Sequence, residues 1–353
     1  MISKIFINKE TLHFRAPFKI AYEEVTETEI IIIQLIDSQG NIGLGSASPD
    51  TEVTGETLDK VSQILNEKLT NNFFANNFNS WYEYHKKIQH VFAGFPSAQA
   101  AIEEAYLNLW SQLHKIPLSC FFGGYRKSCN TMVTIGIQPL KQTLQEVKKR
   151  LSEDFQVIKL KCGLNIEDDL KKIQQVLKIL PSNVKLALDA NQGYSLSGAK
   201  KMVKELKETS IAFFEQPVKA KNWEELKILH QESPIPIIAD ESVITFEDAF
   251  TLLSQNYVSG VNIKLMKCGG PINFIKIFRL TKKLGKKIMI GCMYESNISI
   301  TMGVNLALGL HIDYIDLDSG HLDFYDDPTQ GGAEIKNGKV ILGLPLKKIN
   351  KLN

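Results

Sequence analysis

The chain has 353 residues, 44% of them hydrophobic and 23% charged, which is enough for a large soluble core and a length that suggests two domains. Its 41 basic and 39 acidic residues leave a net charge of +2, so no overall field recruits nucleic acid or an anionic membrane surface. The five cysteines, Cys120, Cys129, Cys162, Cys268 and Cys292, show no CxxC or Cys/His spacing, against a disulfide framework or structural zinc. With no signal-peptide core in MISKIFINKETLHF and no window of membrane-spanning length, a cytoplasmic protein is expected.

Residues 2–48 are predicted as strands: 4–8 alternates, and the β-branched run 29–36 continues to Asp37 before a turn at 38–41. Helical spacing follows over 53–69, 80–92 and 97–113, the last opened by a Ser/Glu pattern near a cap. Near FFGGYRKSCN, residues 121–130, the pattern changes to alternating strand and helix, which divides an α+β region (1–125) from a β/α region (126–325). In the remaining segment, 326–353, AEIKNGKVILGL is predicted as a hairpin turning at Asn337-Gly338 and joining another sheet, that of the N-terminal region.

Within the β/α region, the segments IKLKCG, LALDANQG, AFFEQP, IIADES and VNIKLMKCGG carry the charges Lys161, Asp189, Glu215, Asp240 and Lys264, each just past an apolar run. The intervals are 28, 26, 25 and 24 residues, about one strand, one helix and two loops each. That is the rhythm of a β/α barrel, whose chemistry gathers at the C-terminal strand ends. A lone acid there is most often a helix cap, as Asp189 with Asn191 or Asp240 with Glu241 would be. Glu215 is different, because in FFEQP it directly follows an apolar run and is closely followed by a strand-ending proline. Lys159 and Lys161 alternate and share a face; helices cover a barrel's outside, so that face is the mouth, where buried ammoniums need partners. Three carboxylates with a metal between them supply those partners, and three oxygen ligands suit Mg²⁺. A metal beside a substrate carboxylate acidifies the adjacent carbon, and neighbouring cations (Mg²⁺, Lys159) are expected to lower the pKa of a lysine base. Lys161 and Lys264 would face each other across the mouth, so that a proton taken from one face and returned to the other inverts the carbon.

Other signals carry less. Gly43-Leu44-Gly45 precedes no helix start of dinucleotide-binding type, the seven histidines form no HxxxH pair, and no serine nucleophile elbow is present. NNFFANNFNSWYEYHKK is predicted as loop plus amphipathic helix instead of a base-stacking platform, and the lysines of 282–287 as a solvated helix end.

With these motifs in place, the chain resembles the enolase superfamily, in its muconate-lactonizing-like subgroup, over nearly its whole length. The resemblance implies a (β/α)7β TIM-like barrel with an α+β capping domain formed by residues 1–125 and the tail, whose loops 17–28 and 49–55 close the site. It implies Lys161 and Lys264 as the two bases, Asp189, Glu215 and Asp240 as Mg²⁺ ligands, and Lys159 as a group that stabilises the enolate. Asp316-Leu317-Asp318 matches the DxD that binds the substrate's terminal ammonium in the subgroup's dipeptide epimerases. Cys292 would lie in a seventh-strand segment contacting substrate through its backbone, and Thr134 beside the substrate carboxylate. The implied activity is inversion of the C-terminal residue of L-Ala-L-Xaa dipeptides by 1,1-proton transfer, in an enzyme that forms a homo-oligomer of unspecified size. Glutamate-specific members carry an arginine in the first capping loop; residues 18–24, FKIAYEE, have none. Lys19 is a point cation, not a bidentate fork, and Glu23 disfavours an acidic side chain, so the preferred side chain stays open. The alternatives are an N-acylamino acid racemase, an o-succinylbenzoate synthase or a cycloisomerase, whose substrates lack that ammonium, and, from another class, a non-catalytic binding barrel.

Overall fold

The computed structural model describes residues 2–74 and 81–349. It opens with an antiparallel sheet, β1 (Ile2–Lys19), β2 (Glu24–Asp37) and β3 (Ile42–Ala47), in the order β1-β2-β3. The run Ile30 to Ile33 does not alternate with polar residues because β2 is buried on both faces. Ile31, Ile33 and Leu35 pack against α1 (Leu58–Lys68), α2 (Trp81–Val91) and α3 (Pro96–His114), while Ile30 and Ile32 cluster with Leu12, Phe14, Ile298 and Phe324.

The helix expected over 53–69 begins only at Leu58, capped by Thr57, because Asp50 accepts the Val53 N–H at 2.8 Å and turns the chain first. The expected 80–92 helix is α2; its predicted first residue, 80, and residues 75–79, predicted as loop, lie outside the described residues. α3 has no side-chain cap at Phe95. Instead Glu56 reaches across from the loop and accepts the Ser97 N–H at 3.1 Å and hydroxyl at 2.8 Å. The two glycines of Gly-Leu-Gly are a packing device: a Cβ at Gly43 would lie 2.1 Å from the Ala105 carbonyl oxygen, and one at Gly45 1.9 Å from that of Ala101.

After α4 (Leu118–Phe121) and β4 (Cys129–Asn130) the β/α alternation begins. It runs β5 (Val133–Ile135), α5 (Leu140–Ser152), β6 (Val157–Lys161), α6 (Ile166–Leu177), β7 (Lys185–Asp189), α7 (Leu196–Glu205), β8 (Ile211–Glu215) and α8 (Trp223–Glu232). It continues through β9 (Ile237–Ala239), α9 (Phe246–Ser254), β10 (Gly260–Lys264), the single turn α10 (Leu265–Cys268), α11 (Pro271–Lys283), β11 (Lys287–Gly291), α12 (Asn297–Gly309) and β12 (Tyr314–Ile315). The eight strands β5 to β12 are parallel in sequence order, and Met132 N donates to the Ile315 carbonyl at 2.8 Å where the last strand meets the first. This is the expected (β/α)7β barrel. Ile158 and Leu160 face outward into the helix-covered core, and Met132, Ala187, Phe213, Ile238 and Met289 form a separate apolar layer inside the barrel.

In the tail, β13 (Thr329–Gln330) pairs with β16 (Lys347–Lys348), and β14 (Ala333–Lys336) with β15 (Lys339–Leu342). The hairpin turns at Asn337-Gly338 with φ of 51° and 66°, as the sequence predicts. Its partner corrects the expectation: β15 pairs with β4, Val340 opposite Cys129, and not with the N-terminal sheet. Both residues are buried there within the apolar core of the barrel, which gives the hairpin its footing. Contact with that sheet is made by other residues: Phe324 bridges Phe14, Leu346 packs among Leu12 and Phe14, and Lys348 pairs with Glu10 at 2.9 Å. Among the described residues no helix is long and apolar enough to cross a membrane.

The β3–α3 contact makes a specific prediction. Gly45→Ala pushes a methyl into a helix carbonyl and is expected to destabilise the protein by about 3 kcal/mol, the upper part of the overpacking range, measured by urea unfolding.

Candidate active site

The register of the parallel strands sets Lys161 beside Asp189 and Asp189 beside Glu215, and Asp240 and Lys264 continue the ring one residue past β9 and at the end of β10. All five sequence-predicted charges therefore meet at one end of the barrel. Lys159 lies one layer deeper and touches three carboxylates: Asp189 at 3.1 Å, Glu215 at 2.8 Å and Asp316 at 2.7 Å. Lys161 Nζ donates to Asp189 at 2.7 Å and to Asn191 Oδ1 at 2.9 Å; Lys264 pairs with Asp240 at 2.9 Å. β6 and β10 are four strands apart in an eight-stranded barrel, so the two lysines approach from opposite sides of the mouth.

Burial and charge pull these groups apart. Burial pushes the Asp189 carboxyl up, but Lys161 and Lys159 outweigh it and hold it at about 2. Burial likewise raises Asp240, and Lys264 with Lys267 brings it far below the ordinary range. For Glu215, burial and the charges of Asp189, Asp240 and Asp316 outweigh Lys159, and it is pushed up to about 8. Burial lowers Lys264, and Lys159 lowers it further as expected, yet Asp240, Glu215 and Glu241 hold it well above its ordinary value.

The donor chemistry suits a hard divalent cation: three buried carboxylates on adjacent strand ends. Glu215 Oε2 and Asp240 Oδ2 are fully buried and accept no aligned hydrogen bond, each facing an ammonium as an ion pair only. Among the described residues, no three His, Cys, Asp or Glu close around a common point on their own, since lysine ammoniums stand between the acids.

Several supporting residues escape a strand-end reading. Asn262, inside β10, donates to Glu215 Oε1 at 2.6 Å. Lys267, three residues past Lys264 and 1% exposed, bonds to Asp240 Oδ1, to the Asp240 carbonyl at 2.5 Å and to the Asn262 carbonyl at 3.2 Å. Its only sequence signal is a second lysine in NIKLMKCGG. Asn191 links Lys161 to Glu241, donating to Glu241 Oε1 at 3.0 Å.

A pocket opens above the ring. Its barrel wall includes Thr134, Lys159, Lys161, Lys264, Cys292, Asp316 and Asp318; its other wall is Phe18, Ile20, Tyr22, Glu23, Asp50 and Val53. The first predicted loop, 17–28, is shorter than expected, because β1 runs to Lys19 and β2 starts at Glu24; the second, 49–55, contributes Asp50 and Val53. Asp316 and Asp318 do face the same way. Thr134 lies against both, its hydroxyl donating to Asp316 at 3.3 Å and its N–H to Asp318 at 2.5 Å. Burial and then Asp316 push the Asp318 carboxyl up to about 6. Cys292 donates to the Asp316 carbonyl at 3.4 Å, its thiol raised well above normal by burial.

A barrel of this topology, capped by an α+β region and ringed inside by lysines and carboxylates at the C-terminal strand ends, defines a class of enzymes that work on carbon acids. The chain belongs to the enolase superfamily: residues 142–345 match the enolase C-terminal domain-like family, and residues 2–123 the N-terminal domain of mandelate racemase / muconate lactonizing enzyme. It is 31% identical over 357 residues to an L-Ala-D/L-Glu epimerase of Clostridium acetobutylicum, covering 99% of each chain. It is 33% identical over 339 residues to an L-Lys-D/L-Arg epimerase of Desulforapulum autotrophicum, covering 96% of this chain and 95% of the other. The structure of a dipeptide epimerase from Enterococcus faecalis V583 complexed with Mg and L-Leu-L-Tyr superimposes with a TM-score of 0.89 at 30% identity, covering 97% of both chains.

Two predictions follow from the geometry. Lys267→Met leaves the Asp240 carboxylate short of a buried partner and is expected to cost about 3–5 kcal/mol in urea unfolding. Glu56, whose carboxyl burial raises to about 7 against the bonds from Ser97 and Thr54, holds the 49–55 loop. A folded pKa above the unfolded one stabilises fully below the unfolded value, about 4.5, and that contribution is lost as pH rises through about 7. Thermal melts from pH 4.5 to 8 are expected to show the native protein losing stability relative to Glu56→Gln across this window.

Proposed function

We propose that the protein is an isomerase, a Mg²⁺-dependent dipeptide epimerase that inverts the α-carbon of the C-terminal residue of L-Ala-L-Xaa type dipeptides. The observation that carries this reading is the pairing of two lysines on opposite sides of one pocket with an acidic Asp316/Asp318 pair on its wall. Proton exchange at one carbon from two faces needs the first; a free terminal ammonium needs the second. Substrates of acylamino acid racemases and of the synthase and cycloisomerase lineages present no such ammonium.

Asp189, Glu215 and Asp240 are the residues that would hold Mg²⁺, which when bound supplies positive charge beside the substrate carboxylate and so makes the neighbouring carbon more acidic. Lys161 Nζ removes the α-proton from one face and Lys264 Nζ delivers one to the other, and the roles exchange for the opposite enantiomer. Lys159 stabilises the negative charge that develops on the substrate carboxylate. Asp316 and Asp318 bind the ammonium, with Thr134 holding both carboxylates in place and the Cys292 segment lining the amide side. Asp316 then exchanges part of its contact with Lys159 for the substrate cation. The same division along the chain is proposed: 1–125 as cap, 126–325 as catalytic barrel, and 326–353 as a C-terminal segment returning to the cap. All five cysteines are unpaired, which supports a reducing, cytoplasmic setting.

The test is isotope exchange in D₂O with Mg²⁺ and a pooled L-Ala-L-Xaa library, read by mass. Deuterium is expected at the C-terminal α-carbon. Lys161→Ala and Lys264→Ala are each expected to slow epimerisation by at least about 10³-fold, within the range for losing a general base, while each retains exchange with the enantiomer that the surviving lysine deprotonates. Exchange of N-succinyl amino acids without exchange of any dipeptide would move the assignment to the acylamino acid racemases.

A further inference from the structure

The side chain carried by the inverted carbon can be assigned from the charges that its subsite leaves unmatched; the argument rests on the epimerase reading. With the substrate carboxylate directed to the strand-end acids and the ammonium to Asp316 and Asp318, the third substituent of a carbon placed between Lys161 and Lys264 projects toward the capping loops. There the pocket is lined by Tyr22, Glu23, Asp50 and Val53 of the cap, together with Glu241 from the barrel segment after β9.

Among the described residues lining the pocket, the basic ones are Lys159, Lys161 and Lys264, and each has a carboxylate of the ring within 3.1 Å. Lys19, the one cation of the first loop, pairs with Glu24 at 3.2 Å on the protein surface and does not line the pocket. An acidic substrate side chain therefore meets no cation available to it. The acids stand differently. Glu23 is half-buried, and one of its oxygens accepts the Tyr294 hydroxyl at 3.0 Å, a bond from the seventh-strand loop of the barrel that fixes the loop carboxylate over the pocket. Asp50 accepts the Val53 N–H with Oδ1. Glu241, 5% exposed, spends Oε1 on Asn191, while its buried Oε2 has no hydrogen-bond partner. None of the three forms an ion pair among the described residues, and the Tyr22 phenol lies in the combined field of all three and of Lys264.

We propose that this wall is a cation-binding subsite, with Glu23 and Asp50 as specificity-determining residues and Tyr294 as the positioning residue for Glu23, and that the enzyme inverts dipeptides whose C-terminal residue is lysine or arginine. An arriving ammonium or guanidinium meets acids in a partly dry pocket, where charge pairing is stronger than in water, and stacks against the Tyr22 and Tyr294 rings that line it. A neutral side chain would leave the acids crowded, and an acidic one would add a further negative charge.

The experiment compares kcat/KM for L-Ala-L-Lys, L-Ala-L-Arg, L-Ala-L-Leu and L-Ala-L-Glu with the Mg²⁺-loaded full chain. Cationic dipeptides are expected to exceed L-Ala-L-Leu at least tenfold, chiefly through KM, and L-Ala-L-Glu by more. Glu23→Gln and Asp50→Asn are expected to reduce the cationic-to-neutral ratio at least tenfold each, and Tyr294→Phe by less, in the same direction. Glu23→Arg is expected to raise L-Ala-L-Glu relative to L-Ala-L-Lys. Equal or greater kcat/KM for L-Ala-L-Leu or L-Ala-L-Glu in the native enzyme overturns the subsite and leaves the epimerase reading standing. Absence of α-proton exchange with every dipeptide overturns the epimerase reading itself.

Discussion

Lys159 is the group on which the architecture turns. A buried ammonium is tolerable only when its charge is matched, and here three carboxylates from β7, β8 and the segment after β12 converge on it within 3.1 Å. Those acids are themselves tolerable together only because a cation stands among them; Glu215, the least compensated, shows the strain as a carboxyl pushed up to about 8. The mutual dependence extends to strand register. A one-residue slip of β6 would turn Lys159 and Lys161 onto the helix-covered face and bring Ile158 and Leu160 into the mouth, stranding the acids.

The cap is joined to this ring through specific contacts as well as by covering it. The apolar seam of Leu12, Phe14, Ile30 and Ile32 against Ile298 and Phe324 fixes β1 and β2 over the barrel, and so places the short loop between them above Lys161 and Lys264. The close approach of β3 to α3, and the Glu56 bridge to the start of α3, fix the second loop. The groups proposed as catalytic thus sit on strand ends held rigid by the barrel, while Glu23 and Asp50, proposed to discriminate between side chains, sit on loops, where replacement disturbs the core least.

The barrel and its charges were legible because a parallel barrel repeats: one charge per strand end at a spacing of 24 to 28 residues survives in a single sequence. Asp316 and Asp318 were legible through the resemblance of Asp316-Leu317-Asp318 to the DxD motif. What escaped depends on pairing between distant segments. Glu56 as the cap of α3, β4 as the partner of β15, and Lys267 beneath Asp240 are contacts set by the folded topology, and no local periodicity encodes them. Gly43 and Gly45 show the same limit: the sequence argued against a nucleotide loop, but only the Ala101 and Ala105 carbonyls explain why side chains are excluded.

The first strand meets the last part of the chain: His13 N donates to Asp326 Oδ1, Phe14 bridges Phe324, and Arg15 N donates to the Asp323 carbonyl. During synthesis those partners leave the ribosome about 300 residues after β1, together with the Asp316 that Lys159 requires. Until then β1 offers an unsatisfied sheet edge there and the half-closed barrel holds an incompletely matched ammonium. A nascent chain therefore passes through a long interval in which this edge of the cap stays open, and an open strand edge is a template for pairing with another chain.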